Sequence, residues 1–121
     1  MARAKLRGLN RLVRAFGATG KGLAGAFRDE DAFRQELGLA VIAAPLGLWL
    51  GHNGVERVLL VAPLLLVLIV ELLNSGIEAA IDRVGPERHE LAGLAKDFGS
   101  AAVFLSLLLC VLTWLLVLLD R

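Results

Sequence analysis

A single cysteine, Cys110, stands among the 121 residues. No internal disulfide can form, and its position inside an apolar run marks it as a small packing residue rather than a reactive thiol. The chain also has almost no net charge, formally +1, so bulk electrostatics points to no partner and only the placement of charges is informative. Near the N-terminus there is no apolar stretch followed by a small-residue cleavage site; no removable signal peptide is expected, and insertion would rely on the spans themselves. Neither a Gly-rich Walker loop nor the protein-kinase signature set occurs, and length and hydropathy together exclude a conventional nucleotide-binding fold.

What is abundant is apolar surface. The hydrophobic share is 57%, above the roughly 45–50% of soluble chains, and it is concentrated in runs, which argues for segments solvated by lipid. A single domain spanning 1–121 is expected. Each subunit has few helices, so a buried polar site would need neighbours to complete it, and oligomerisation is expected.

Four segments emerge. Residues 1–31 are basic, with Leu6, Leu9, Val13, Phe16, Leu23 and Phe27 at nearly helical spacing among Arg3, Lys5, Arg7, Arg11, Arg14, Lys21 and Arg28. That pattern predicts an amphipathic helix in the membrane interface. A nucleic-acid-binding arm is disfavoured, because the cations are interleaved with a hydrophobic face and adjoin membrane spans. The apolar run 37–50 contains Pro45 and is short for a crossing; counting from Phe33 to His52 gives a first span over 33–52, near the ~20 residues a bilayer needs. His52-Asn53-Gly54 reads as a tight turn. A second span with a cytoplasmic extension covers 55–84, broken only by Pro63 in its apolar half, and Gly85-Pro86 ends it. After a polar loop, a third span covers 97–119, with Trp114 toward one end and Trp49 at the end of the first span, both read as interfacial anchors. The surplus of Lys and Arg before the first span, and Arg83, Arg88 and Lys96 between the second and third, put the N-terminal arm and the second loop in the cytoplasm. The 51–57 turn and the C-terminus then face outward.

The stretch that carries chemistry is Glu71-Leu72-Leu73-Asn74-Ser75-Gly76-Ile77-Glu78-Ala79-Ala80-Ile81-Asp82. At about 100° per residue, Glu71, Asn74, Ser75, Glu78 and Asp82 share one stripe. Carboxylates at the end of a membrane span are expensive unless paired, hydrated or metal-bound, and are therefore functional candidates. Glu71 falls about 20 Å along the helix from Val58, near the far side of a ~30 Å hydrocarbon layer, while Glu78 and Asp82 lie about 10 and 16 Å further on. The stripe thus runs from lipid toward water, as joining a lipid hydroxyl to a soluble nucleotide requires. Phosphoryl transfer needs a cation on the phosphates, a divalent metal on hard oxygens and a group that deprotonates the attacking hydroxyl. Lys96 suits the first role. Glu78 with a carboxylate of Asp29-Glu30-Asp31 suits the second, and Glu71 the third.

Together with Ala32-Phe33-Arg34-Gln35-Glu36 before the first span and Ala95-Lys96-Asp97-x-Gly99-Ser100-Ala101-Ala102 opening the third, this stretch resembles the prokaryotic diacylglycerol kinase family. The resemblance covers nearly the whole chain and implies an all-α membrane protein, a homotrimeric helical bundle with an N-terminal surface helix and three transmembrane helices per subunit. It implies active sites shared between subunits, in the bacterial inner membrane, with the N-terminus cytoplasmic and the C-terminus periplasmic. The reaction implied is transfer of the γ-phosphate of ATP to diacylglycerol, giving phosphatidic acid, with Glu71 as general base and Mg2+ held by Glu30 and Glu78. Asn74, Asp82, Lys96 and Asp97 would line the catalytic and nucleotide site, with Arg11, Glu87 and His89 as further nucleotide contacts. Arg11 also counts toward the lipid side, with Arg34, Gln35, Glu36, Trp49 and Ser100. No nucleic-acid partner is implied. Gly76 stands where alanine is common in the family, and a mid-helix glycine costs on the order of 1 kcal/mol unless packing uses it; a tight helix contact is expected there. Ala18 and Gly20 replace bulkier residues of some relatives.

Two other functions fit part of this pattern. Undecaprenol kinase shares the fold, although Val84-Gly85-Pro86-Glu87-Arg88-His89-Glu90-Leu91 looks closer to the diacylglycerol-acting branch. A non-catalytic ion- or proton-conducting subunit would use the acidic stripe as a pore, but 58–70, the outer half of the second span, offers no polar residue to continue it.

Overall fold

A computed structural model describes residues 2–85 and 90–120, with side chains from residue 7 onward. Among these residues the chain is helical, with no strand: α1 (Ala2–Asp29), α2 (Asp31–Leu50), α3 (Gly54–Val84) and α4 (Glu90–Leu119). Only α3 and α4 combine the length and hydropathy of a membrane crossing on those criteria alone. Few of the apolar residues of either are covered by the rest of the chain. So much exposed aliphatic surface is foreign to a water-soluble monomer.

The helix boundaries follow from local chemistry. Asn53 caps α3, its Oδ1 accepting from the Glu56 N–H at 2.9 Å, while Glu56 Oε1 accepts from the His52 N–H at 3.1 Å. Arg57 Nε donates to the Leu48 carbonyl at 3.1 Å, satisfying one of the orphan acceptors at the end of α2 and closing the α2–α3 hairpin. At the other end of α3, Gly85 has φ 152°, a conformation L side chains rarely adopt, so the helix stops at the expected Gly-Pro. The polar loop expected up to residue 97 is shorter than that: α4 begins at Glu90, and Glu90 to Lys96 are helical. Hydropathy marks where lipid begins, not where a helix does, and nothing between Glu90 and Lys96 breaks one.

α3 is the central element, packed against α2 on one side and α4 on the other. Ala40, Leu64, Val67 and Cys110 form the buried cluster, flanked by Ala43, Ala44, Leu68, Leu107 and Trp114. Cys110 is thus a packing residue, as expected. Gly47 of α2 makes room for close approach: a Cβ there would lie 3.0 Å from Leu60 Cβ and 3.4 Å from the Trp114 ring. Trp114 is therefore more than an interfacial anchor. It is half-buried, and its Nε1 donates to the Leu60 carbonyl at 2.8 Å, tying α4 to α3. Ser106 and Thr113 satisfy their hydroxyls on Val103 O and Leu109 O of their own helix. Replacing Trp114 by Phe keeps most of the packing and removes the interhelical bond; it is expected to cost about 1 kcal/mol, read as a lower midpoint in denaturing detergent titrations.

Candidate active site: an acidic ridge on α3

The polar residues of α3 fall on one face, as their spacing predicts, and their burial declines along it. Glu71 is 4% exposed, Asn74, Ser75 and Glu78 are half-buried, and Asp82 is open to solvent. Glu36 of α2 faces Glu71 carboxyl to carboxyl, and Glu30 and Glu78 are within electrostatic reach of Glu71. Asn74 Nδ2 donates to Glu78 Oε1 at 3.4 Å. Lys96, nearly two turns into the polar start of α4, donates to Asp82 Oδ1 at 2.9 Å. One chain thus brings together Glu30, Glu36, Glu71, Asn74, Glu78, Asp82 and Lys96. A buried carboxylate with further carboxylates around it is costly to fold around, and the arrangement is explicable as a site that receives cations and polar ligands.

The α1–α2 junction separates the three acids of the 29–31 cluster. Asp29 is bonded by Arg28, Nε to Oδ1 at 3.1 Å, and that guanidinium holds the Asp29 carboxyl below its ordinary range. Asp31 pairs with Arg34. Glu30, half-buried at the N-cap of α2, makes no side-chain capping bond. Of the three, its carboxylate is therefore the one left to serve a ligand. Arg34 also reaches back across the junction, where its Nη1 donates to Phe27 O at 2.7 Å and Arg28 O at 2.8 Å, capping α1 where its carbonyls have no helical partner. Arg34 so fixes the angle at which α1 leaves the bundle.

A cleft of about 570 Å³ opens between the C-terminal half of α1 and the flank of α3 beside the ridge, which it meets at Ser75; Lys21, Asp29, Glu30, Gly76 and Ala79 line it in part. The tight helix contact expected at Gly76 is not found: a Cβ there would meet nothing within 4 Å, because Gly76 borders the cleft rather than a helix.

Other expected site residues are placed elsewhere in the single chain. Asp97 and Ser100 are exposed on α4, with Asp97 bordering a separate recess beside Glu90 and Leu94. Gln35 is exposed, and Arg11 is exposed about 12 Å before Thr19, the cleft's nearest α1 residue, at 1.5 Å per residue. Trp49 is 79% exposed at the far end of α2, about 20 Å from Glu36 by the same rise. Glu87 and His89 lie outside the described residues. Sequence reasoning named Gly99 in the motif that opens the third span but gave it no role; in the structure it packs against Asn74, and a glycine inside a helical pattern was the available signal.

Among the described residues no three His, Cys, Asp or Glu side chains converge as a metal cage. Magnesium, where a protein holds it, takes one or two carboxylates supplemented by water and substrate phosphates rather than a closed cage. Glu30 and Glu78 carry hard oxygens of that kind within electrostatic reach of Glu71.

Comparison with known proteins gives a consistent result. A family model described as prokaryotic diacylglycerol kinase matches residues 17–118. The chain is 47% identical over 111 residues to the diacylglycerol kinase of Escherichia coli strain K12, covering 92% of this chain and 91% of that protein. It is 48% identical over 123 residues to the diacylglycerol kinase of Pseudomonas aeruginosa, covering 99% and 100%. With Haemophilus influenzae diacylglycerol kinase the identity is 46% over 110 residues, 91% of this chain and 93% of that one. With the acidic ridge in place and agreement along nearly its full length, the chain belongs to the prokaryotic diacylglycerol kinase family.

Proposed function

We propose that the protein is an ATP-dependent diacylglycerol kinase of the bacterial inner membrane, working at the cytoplasmic boundary of the bilayer. The observation that carries this reading is the single ridge on which a buried carboxylate, Glu71, is continuous with half-buried Glu78 and solvent-exposed Asp82 paired to Lys96. A lipid hydroxyl and a dissolved nucleotide need such a surface in order to meet. The names of the relatives supply the lipid.

In this reading Glu71 accepts the proton of the diacylglycerol hydroxyl as its oxygen attacks the γ-phosphorus of ATP in line. The new lipid O–P bond forms, the bond from the γ-phosphorus to the β,γ-bridging oxygen breaks, and ADP leaves. Asn74 orients Glu78, and Lys96, released from Asp82, lies against the phosphates. Glu30 and Glu78 would hold magnesium, which supplies charge neutralisation on the phosphate oxygens when bound with ATP. Arg11, Asp82, Glu87, His89 and Asp97 complete the nucleotide side. Arg34, Gln35, Glu36, Trp49 and Ser100 line the path of the lipid.

The working unit is a homotrimer in which α2 is the third transmembrane helix and α1 lies along the cytoplasmic surface, in one domain spanning 1–121. The uncovered apolar face of α1, with Leu9, Leu12, Val13, Phe16, Leu23 and Phe27 exposed, supports a seat in the interface. The outward placement of Asp97 and Ser100 on α4 supports a site shared with a neighbour. Diacylglycerol and undecaprenol presented in the same micelle with MgATP test the substrate: phosphate is expected in the diacylglycerol product, and a strong polyprenol preference would contradict the reading.

A further inference from the structure

The ridge of α3 meets α4 at a point where no side chain fits. Gly99 is buried, and a methyl group built on it would run into the Asn74 amide, with Cγ at 3.2 Å, Cβ at 3.7 Å and Oδ1 closer still. The amide occupies the space a residue at 99 would otherwise fill. Asn74 Oδ1 is buried there without a hydrogen-bond partner among the described residues, an arrangement that costs stability. Its seat is therefore not explained by what Asn74 gains. What the seat fixes is the direction of Nδ2, which points along α3 to Glu78 Oε1. A side chain wedged between two helices has few rotamers left, and a carboxylate bonded to it inherits that restriction.

We propose that Gly99 is a positioning residue for phosphoryl transfer: by lacking a side chain it locks the Asn74 amide, and through it the Glu78 carboxylate, in the geometry that receives magnesium and the nucleotide. The inference rests on the reading of the ridge as the kinase site. It differs from a purely structural role, in which Gly99 would only let α3 and α4 approach and its replacement would weaken the fold without a specific effect on metal or nucleotide use. A methyl at 99 pushes the amide aside, and displacements of about 1 Å near reacting groups cost on the order of 10²-fold in rate.

A double-mutant cycle on the full chain, purified in micelles with diacylglycerol as acceptor, tests this. Gly99→Ala, Asn74→Ala and the double variant are compared for kcat, KM for ATP, the magnesium concentration at half-maximal rate, and the fraction of folded oligomer. With Asn74 present, Gly99→Ala is expected to lower kcat by tenfold to a hundredfold and to raise the magnesium requirement severalfold. With Asn74 already alanine, the same change is expected to alter both by less than about twofold, because the amide it displaces is gone. Equal factors in the two backgrounds, or a loss that only follows the folded fraction, would overturn the proposal. Should Gly99→Ala fail to fold, Asn74→Gln serves as the second arm. It leaves α4 untouched but carries an amide one methylene too long for the seat, so a raised magnesium requirement is expected and an unchanged one overturns the proposal. Failure of the kinase-site reading would look different: Asn74→Ala alone would then leave kcat untouched.

Discussion

Glu71→Gln is expected to lower kcat by on the order of 10³-fold, within the range typical of a lost general base, while nucleotide binding survives. The substitution keeps the size and shape of a side chain that is 4% exposed, exchanging one acceptor oxygen for an N–H donor that the neighbouring Glu36 carboxylate can receive, so the bundle has little reason to rearrange. It removes the negative charge and with it the ability to take a proton. Glu78 and Lys96, which serve the nucleotide in this reading, lie a turn or more away on the ridge and on α4. Initial rates in mixed micelles give kcat, and equilibrium binding of a fluorescent ATP analogue gives the affinity; full activity in the variant would remove the role from Glu71.

The second large effect concerns subunit sharing. Glu30, Glu71 and Glu78 are within electrostatic reach inside one chain, so altering two of them in different subunits leaves every site damaged. Asp97 is the informative partner, because it is exposed on α4 and borders a different recess. Glu71→Gln and Asp97→Asn preparations are each expected to be nearly inactive alone. In a cyclic oligomer each restored site needs one subunit of each kind in the right order, so unfolding, mixing in equal amounts and refolding should return about a quarter of wild-type turnover. Self-contained sites would return none.

The stripe from Glu71 to Asp82 was legible in the sequence because helix periodicity is a local property: at about 100° per residue, positions 71, 74, 75, 78 and 82 return to one face whatever the rest of the chain does. Helix ends with chemical punctuation were legible for the same reason: His52-Asn53-Gly54 read as a turn, where Asn53 proves to cap α3, and Gly85-Pro86 read as a stop, where Gly85 proves to have a positive φ. Where the signal was only hydropathy, it gave the apolar span and not the helix that contains it, and α4 begins seven residues before the expected span. Choosing among Asp29, Glu30 and Asp31 depended on Arg28 and Arg34, and Arg34 also depends on where α1 turns. Contacts between helices were the least legible. Gly76 and Gly99 look alike as mid-helix glycines, yet one borders a cleft and the other is filled by Asn74, a difference set by how α3 and α4 are rotated against each other. Trp114 looked like an anchor because a tryptophan near a span end usually is one, and its bond to Leu60 O joins residues far apart in the chain.

Sealed vesicles carrying the protein in one orientation, with diacylglycerol in both leaflets, give the most direct test of an acidic face that spans oil and water. Phosphate from γ-labelled ATP is expected to enter the lipid when nucleotide and magnesium are supplied on the side that bears α1 and the C-terminal end of α3. Labelling that is equally fast with nucleotide on the opposite side, or no labelling from either, would contradict it.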